Sequence, residues 1–149
     1  MRRLLLRLRA GRRVAVGHDV RAGRGVRIEA APGARVVLGD GCRIGDGSRL
    51  AARGGELRIG AGARIGERCV LVAHTGIDVG ERATIGDWAA VLDAEPRAGD
   101  VETPLRAHGV DAAAVRIAPG AVVGPAARVL GGAVVDARVE AGTTVPRAR

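Results

Sequence analysis

Residues 59–91 read IGAGARIGERCVLVAHTGIDVGERATIGDWAAV, and one spacing runs through them. An aliphatic residue returns every sixth position: Ile59, Ile65 and Leu71, then Val79, Ile85 and Val91. Glycine often follows it, at Gly60, Gly66, Gly80 and Gly86. Four positions after the aliphatic stands a small residue: Ala63, Cys69, Ala83 or Ala89. An α-helix would show a period of 3.6 and a simple strand a period of two. A period of six instead makes each hexad one short strand plus one turn. Three hexads then close one coil of a triangular prism. The aliphatic points inward and stacks on its equivalent in the next coil, and the small residue faces the cramped interior near a corner. Glycine tolerates backbone conformations that a Cβ penalises. Parallel pairing between coils satisfies every strand except those at the two ends.

The spacing extends in both directions from this stretch. Leu38, Ile44 and Leu50 precede it, and Ile117, Val123, Val129 and Val135 follow. Cys42, Ser48, Ala121, Ala127 and Ala133 continue the small position. Composition agrees with a narrow aliphatic core. Of 149 residues 47% are apolar, yet only 1% are aromatic, Trp88 standing alone. Ordinary layered cores draw on aromatic bulk. Three interruptions break the phase. Ala52 to Glu56, with Gly54 and Gly55, reads as a corner bulge, and His74-Thr75-Gly76 adds two residues at another corner. Residues 93–116 have no hexad phase and contain Pro96, Gly99, Pro104 and Gly109. A long aperiodic loop in a compact domain is usually functional or disordered.

The net charge of +8 raises the question of a nucleic-acid partner. The chain has no Lys, Asn or Gln, so Arg takes the place of Lys throughout. The arginines are scattered apart from the cluster near the start, and no aromatic side chains interleave with them to stack bases. Nucleic acid is therefore not an expected partner. No apolar run reaches the ~20 residues of a membrane span. The opening MRRLLLRLRA is too short and too interrupted for a signal peptide, and suits a short amphipathic helix on the end of the domain. Cys42 and Cys69 occupy the small position and read as buried thiols rather than a disulfide. A reducing cytoplasm is the default location. We divide the chain into a basic segment, residues 1–19, and one coil domain, residues 20–149, carrying the loop insertion 93–116.

The hexad pattern resembles that of the hexapeptide-repeat acyltransferases, over roughly residues 20 to 145. The resemblance implies an all-β fold, a left-handed parallel β-helix with one long protruding loop. Most parallel crossovers are right-handed, and the family is an exception. The stretch from Ile85 onward resembles the sugar and antibiotic O-acetyltransferase branch. Asp93 matches an Asp that precedes the catalytic His by three positions. Glu102-Thr103-Pro104-Leu105-Arg106 matches a loop element, and Ile117 to Val135 match the closing coils. Pro96 stands where the branch has its His. Proline offers no acid–base chemistry.

The resemblance implies a CoA-dependent acyltransferase, most simply moving acetyl from acetyl-CoA to a hydroxyl or amine of a small polar acceptor such as a sugar. It also implies a homotrimer, with the donor in the groove between prisms. The base must then come from elsewhere. His74, in His74-Thr75-Gly76-Ile77-Asp78, resembles the His-Ala-Thr-Gly segment that carries the base in serine acetyltransferases, one residue short. Glu95 and Asp93 are the alternative catalytic carboxylates. Arg116 and Arg128 are the cofactor-binding candidates, with Arg147 and Arg149 at the tail. His108, Glu102 and Arg106 are the substrate-binding candidates. A zinc lyase resembling gamma-type carbonic anhydrases would need three protein ligands. His74 and His108 supply two, Ala113 occupies the third place, and no metal is expected. A homologue without catalysis, acting as a scaffold or binding subunit, is the remaining reading.

Overall fold

The computed structural model describes residues 2–3, 13–96 and 110–146. All regular structure among them is strand apart from a single 3-10 position at Arg13, and three parallel sheets wind into a β-helix of about five coils. No helix among the described residues is long and apolar enough to cross a membrane.

Side 1 of the prism stacks Val14–Val16, Arg35–Leu38, Glu56–Ile59, Gly76–Val79, Val115–Ile117 and Val134–Val135. Side 2 stacks Arg21–Ala22, Arg43–Ile44, Arg64–Ile65, Thr84–Ile85, Val122–Val123 and Arg138–Val139. Side 3 stacks Arg27–Ala30, Arg49–Ala52, Val70–Ala73, Ala90–Leu92, Arg128–Leu130 and Thr144–Val145. The register carries the sixth-residue aliphatics directly onto one another. Leu38 pairs with Ile59, Ile59 with Val79, Val79 with Ile117, and Ile117 with Val135. The small position is also inward: Cys42, Ser48, Ala63, Cys69, Ala83, Ala127 and Ala133 are fully buried. Burial pushes the Cys42 thiol up to about 11 and raises that of Cys69, as expected of thiols in an apolar interior.

The structure departs from the sequence reading in four places. The parallel ladder begins at Val14–Val16, which pairs with Val36–Leu38, ahead of the boundary drawn at residue 20. At the chain start, within the segment expected as a helix, Arg2–Arg3 form a strand antiparallel to Arg21–Ala22, and residues 4–10 of that segment lie outside the described residues. The two short interruptions are more than bulges. They lengthen sides 1 and 3 into four-residue strands, and the added alternation brings Ala52, Leu57, Ala73 and Ile77 into the core as a second inward rank.

The fourth departure concerns glycine. The residues after the aliphatic, such as Gly45, Gly60 and Gly86, are not the ones with positive φ. They are needed for close approach: a Cβ on Gly60 would lie 2.6 Å from Glu81 N and 2.7 Å from Gly80 C. Positive φ falls two residues later, at Gly41, Gly47, Gly62 and Gly120, and there also at Arg68, Arg82, Trp88 and Ala126. Gly60→Ala is therefore expected to cost about 3 kcal/mol, at the upper end of overpacking. Gly41→Ala is expected to cost about 1–2 kcal/mol of backbone strain, because a Cβ there meets nothing within 4 Å. Urea denaturation of the two variants checks the order. Equal losses would contradict it.

Candidate functional site

All three interruptions fall at one corner, where side 3 turns into side 1. In successive coils it holds Gly54-Gly55, then His74-Thr75, then Asp93 with the loop insertion, then Gly131-Gly132. The glycines let the corners nest. A Cβ on Gly131 would lie 2.5 Å from the Asp93 carbonyl oxygen, and Gly55 turns with φ 61°.

Asp93 is the centre of this corner. It is completely buried, and a buried carboxylate must find donors. Its Oδ1 accepts the N–H of His74 at 2.6 Å, and its Oδ2 accepts those of Thr75 and Gly76, each at 2.7 Å. These short charge-assisted bonds pin the wider corner one coil below. The Asp93 carbonyl accepts the N–H of Ala113 at 2.9 Å, where the chain returns from the loop. One residue thus ties the His74 corner to the root of the insertion. Asp40, Asp46 and Asp87 make a simpler version elsewhere, each taking one N–H from the preceding coil, those of His18, Arg24 and Glu67.

His74 is one-third exposed. Its Nδ1 is buried with no hydrogen-bond partner and faces Asp93 Oδ1 at 3.6 Å. That distance is slightly beyond a hydrogen bond. An inward Nδ1 leaves Nε2, at the opposite end of the ring, as the nitrogen available to a reacting group.

The loop opens as a two-stranded antiparallel ribbon, Ala94–Pro96 against Val110–Ala112, with Glu95 opposite Asp111 and Pro96 opposite Val110. Glu95 is thus two residues from Asp93 along the chain, on the strand leaving the prism. Glu102, Arg106 and His108 lie outside the described residues, as do Arg147 and Arg149. Among the described residues no group of three His, Cys, Asp or Glu side chains is arranged to hold a metal ion. His18 sits exposed at another corner.

The two arginines expected to bind one ligand are on different sides. Arg116 is on side 1, opposite Asp78, while Arg128 is on side 3, opposite Ala90. Arg116 borders an open groove of about 680 Å³ along the outside of side 1, with Val37, Gly60, Asp78 and Gly80 among its lining. A second depression of about 430 Å³ extends past Gly76 and Ala114 towards the insertion corner. The outward row Arg58, Asp78, Arg116 crosses both. Sequence reasoning passed over Arg58 and Asp78. Their only signal was that each stands one position before an inward aliphatic, and so points outward.

Comparison with known proteins adds to this geometry. No family model matches the chain. It is 31% identical over 114 residues to a probable acetyltransferase of Mycobacterium tuberculosis, covering 76% of this chain and 38% of the relative. It is 31% identical over 120 residues to the bifunctional protein GlmU of Paracidovorax citrulli, covering 75% of this chain and 25% of that protein. The chain therefore spans well under half the length of either relative. Among solved structures it is similar to AntD, an N-acyltransferase from Bacillus cereus, in complex with dTDP and 3-hydroxybutyryl-CoA. The TM-score is 0.68 at 19% identity, over 86% of this chain and 73% of that one. A variant of AntD with dTDP and Coenzyme A gives 0.66 at 18% identity, over 87% and 75%. At that identity the likeness is one of fold.

Proposed function

We propose that the chain is a CoA-dependent acyltransferase of the hexapeptide-repeat kind. The observation carrying this reading is the fixed corner: a buried carboxylate holding a partly exposed imidazole by the backbone, with Nδ1 turned inward. The acetyltransferase relative and the N-acyltransferase fold support the same chemistry.

In this reading Nε2 of His74 takes the proton from an acceptor hydroxyl or amine. The acceptor heteroatom attacks the thioester carbonyl and forms a tetrahedral oxyanion, which backbone N–H groups stabilise. Collapse breaks the carbon–sulfur bond, and the imidazolium returns its proton to the departing thiolate. Asp93 holds the His74 turn by its backbone and does not itself react, because both of its oxygens already accept backbone N–H groups. Glu95 is the second choice of base.

Acetyl-CoA is the donor, and the acceptor is a small polar molecule such as a sugar. Arg116 and Arg128 are the donor's arginine partners, Arg128 from side 3 and Arg116 from the groove of side 1. Glu102, Arg106 and His108 belong to the loop that completes the acceptor site. The working assembly is a homotrimer, in which cyclic symmetry would repeat the site at each interface, and the location is the cytoplasm.

Calorimetric titration with acetyl-CoA, coupled to thiol release over a panel of sugars and amines, tests the proposal. Binding with release on one class of acceptor is expected. No binding at millimolar acetyl-CoA would sink it. Binding without turnover on any acceptor favours the scaffold reading, for which Pro96 at the expected His position is the supporting observation.

A further inference from the structure

Trp88 is the chain's one aromatic residue, and it is 66% exposed. Its φ of 63° lies in the left-handed region, at the corner position that Gly47 and Gly142, and also Arg68 and Ala126, occupy with the same conformation in other coils. Glycine suits that backbone, and an indole there is strained without gaining burial. The ring buries little against its own chain, which leaves most of the indole open to a ligand. One coil below, the guanidinium of Arg68 sits 5.4 Å from the ring centroid, within cation–π range. One coil above stands Ala126, with only a methyl to offer. The indole thus has a guanidinium beside its ring and most of its surface exposed.

Trp88 also begins the crossing of side 3 that ends at Asp93. The strand Ala90–Leu92 covers it, about 16 Å by strand rise. Its outer surface is apolar. Ala90 and Leu92 are flanked in neighbouring coils by Val70, Val72 and Leu130, and Val70 is 36% exposed. In the following coil Arg128 stands opposite Ala90 and brings a cation to this strip. At the Trp88 end Asp87 is exposed. Its Oδ1 takes the Glu67 N–H, leaving Oδ2 as an acceptor.

We propose that Trp88 is the platform on which the adenine ring of the acyl donor stacks. Asp87 accepts from the exocyclic amine, Arg128 meets the phosphates, and the apolar arm crosses side 3 to the His74 corner. The identity of the nucleotide rests on the acyl-CoA reading, whereas the stacking site rests on Trp88 itself.

Because Trp88 is the chain's one tryptophan, its fluorescence reports the site directly. Adenosine 3′,5′-bisphosphate should quench it saturably. Trp88→Gly should bind that nucleotide at least tenfold more weakly by calorimetry, while melting no lower than the parent, since glycine relieves the left-handed backbone. Absence of quenching, or an unchanged affinity in Trp88→Gly, overturns the proposal. So does an emission change that follows protein concentration without nucleotide, which would place Trp88 between copies of the chain. Acyl transfer by Trp88→Gly with an unchanged KM for acetyl-CoA would remove the platform and leave the transferase reading standing. Quenching without any thiol release would do the reverse.

Discussion

Replacing Asp93 with alanine is expected to destabilise the chain by about 4–5 kcal/mol, taking charge-assisted bonds at roughly 1.5–3 kcal/mol each and allowing for their non-additivity. Three backbone donors, on His74, Thr75 and Gly76, would lose their acceptor at once. The void is too closed for water to replace every bond, because Asp93 is fully buried. Typical domains hold only about 5–15 kcal/mol in total, so the variant should be largely unfolded well below the parent midpoint. Asp93→Asn should fall between the two. Its amide retains one accepting oxygen but aims an N–H₂ at a backbone donor in either orientation. Asp78→Ala, on the outer face of the same region, should lie within about 0.5 kcal/mol of the parent. Denaturant midpoints decide the matter. A loss under about 1 kcal/mol for Asp93→Ala would show that the corner holds without its carboxylate.

The second large effect is on activity. His74→Ala should lower kcat for acyl transfer by about 10²–10⁴-fold, the range for removal of a positioned general base. KM for acetyl-CoA should change little, since the imidazole acts on the acceptor's proton. Stability should also hold, because the side chain is one-third exposed and its buried Nδ1 makes no hydrogen bond. That contrast separates the two residues. Asp93→Ala loses the fold and the activity together, whereas His74→Ala loses activity alone. Should Glu95→Ala abolish turnover while His74→Ala retains it, the base is the carboxylate of the ribbon.

Much of this protein is written locally, and some of it is not. Leu38, Ile44 and Leu50, or Val79, Ile85 and Val91, declare their inward direction by spacing alone, because each hexad repeats one strand and one turn. The small residues do so too, and Cys42 and Cys69 are as buried as the pattern requires. The glycines were read correctly as necessary but for the wrong reason. A single hexad cannot reveal that Gly60 lies against the backbone of Glu81, since that neighbour comes from the next coil. The same limit hid Leu57 and Ile77, whose inward turn exists only because the interruptions lengthen the strands on either side of one corner.

The sequence by itself determined the repeat, the aliphatic core and the presence of three interruptions, since period and side-chain size act through the nearest residues. Only the tertiary structure decided that the interruptions share a corner, that Asp93 caps the His74 turn, and that Arg116 and Arg128 part company onto different sides. The physical reason is the length of each coil. Stacking partners are set by the sum of three sides and their insertions, so contacts across coils depend on the whole winding and on no single stretch of it.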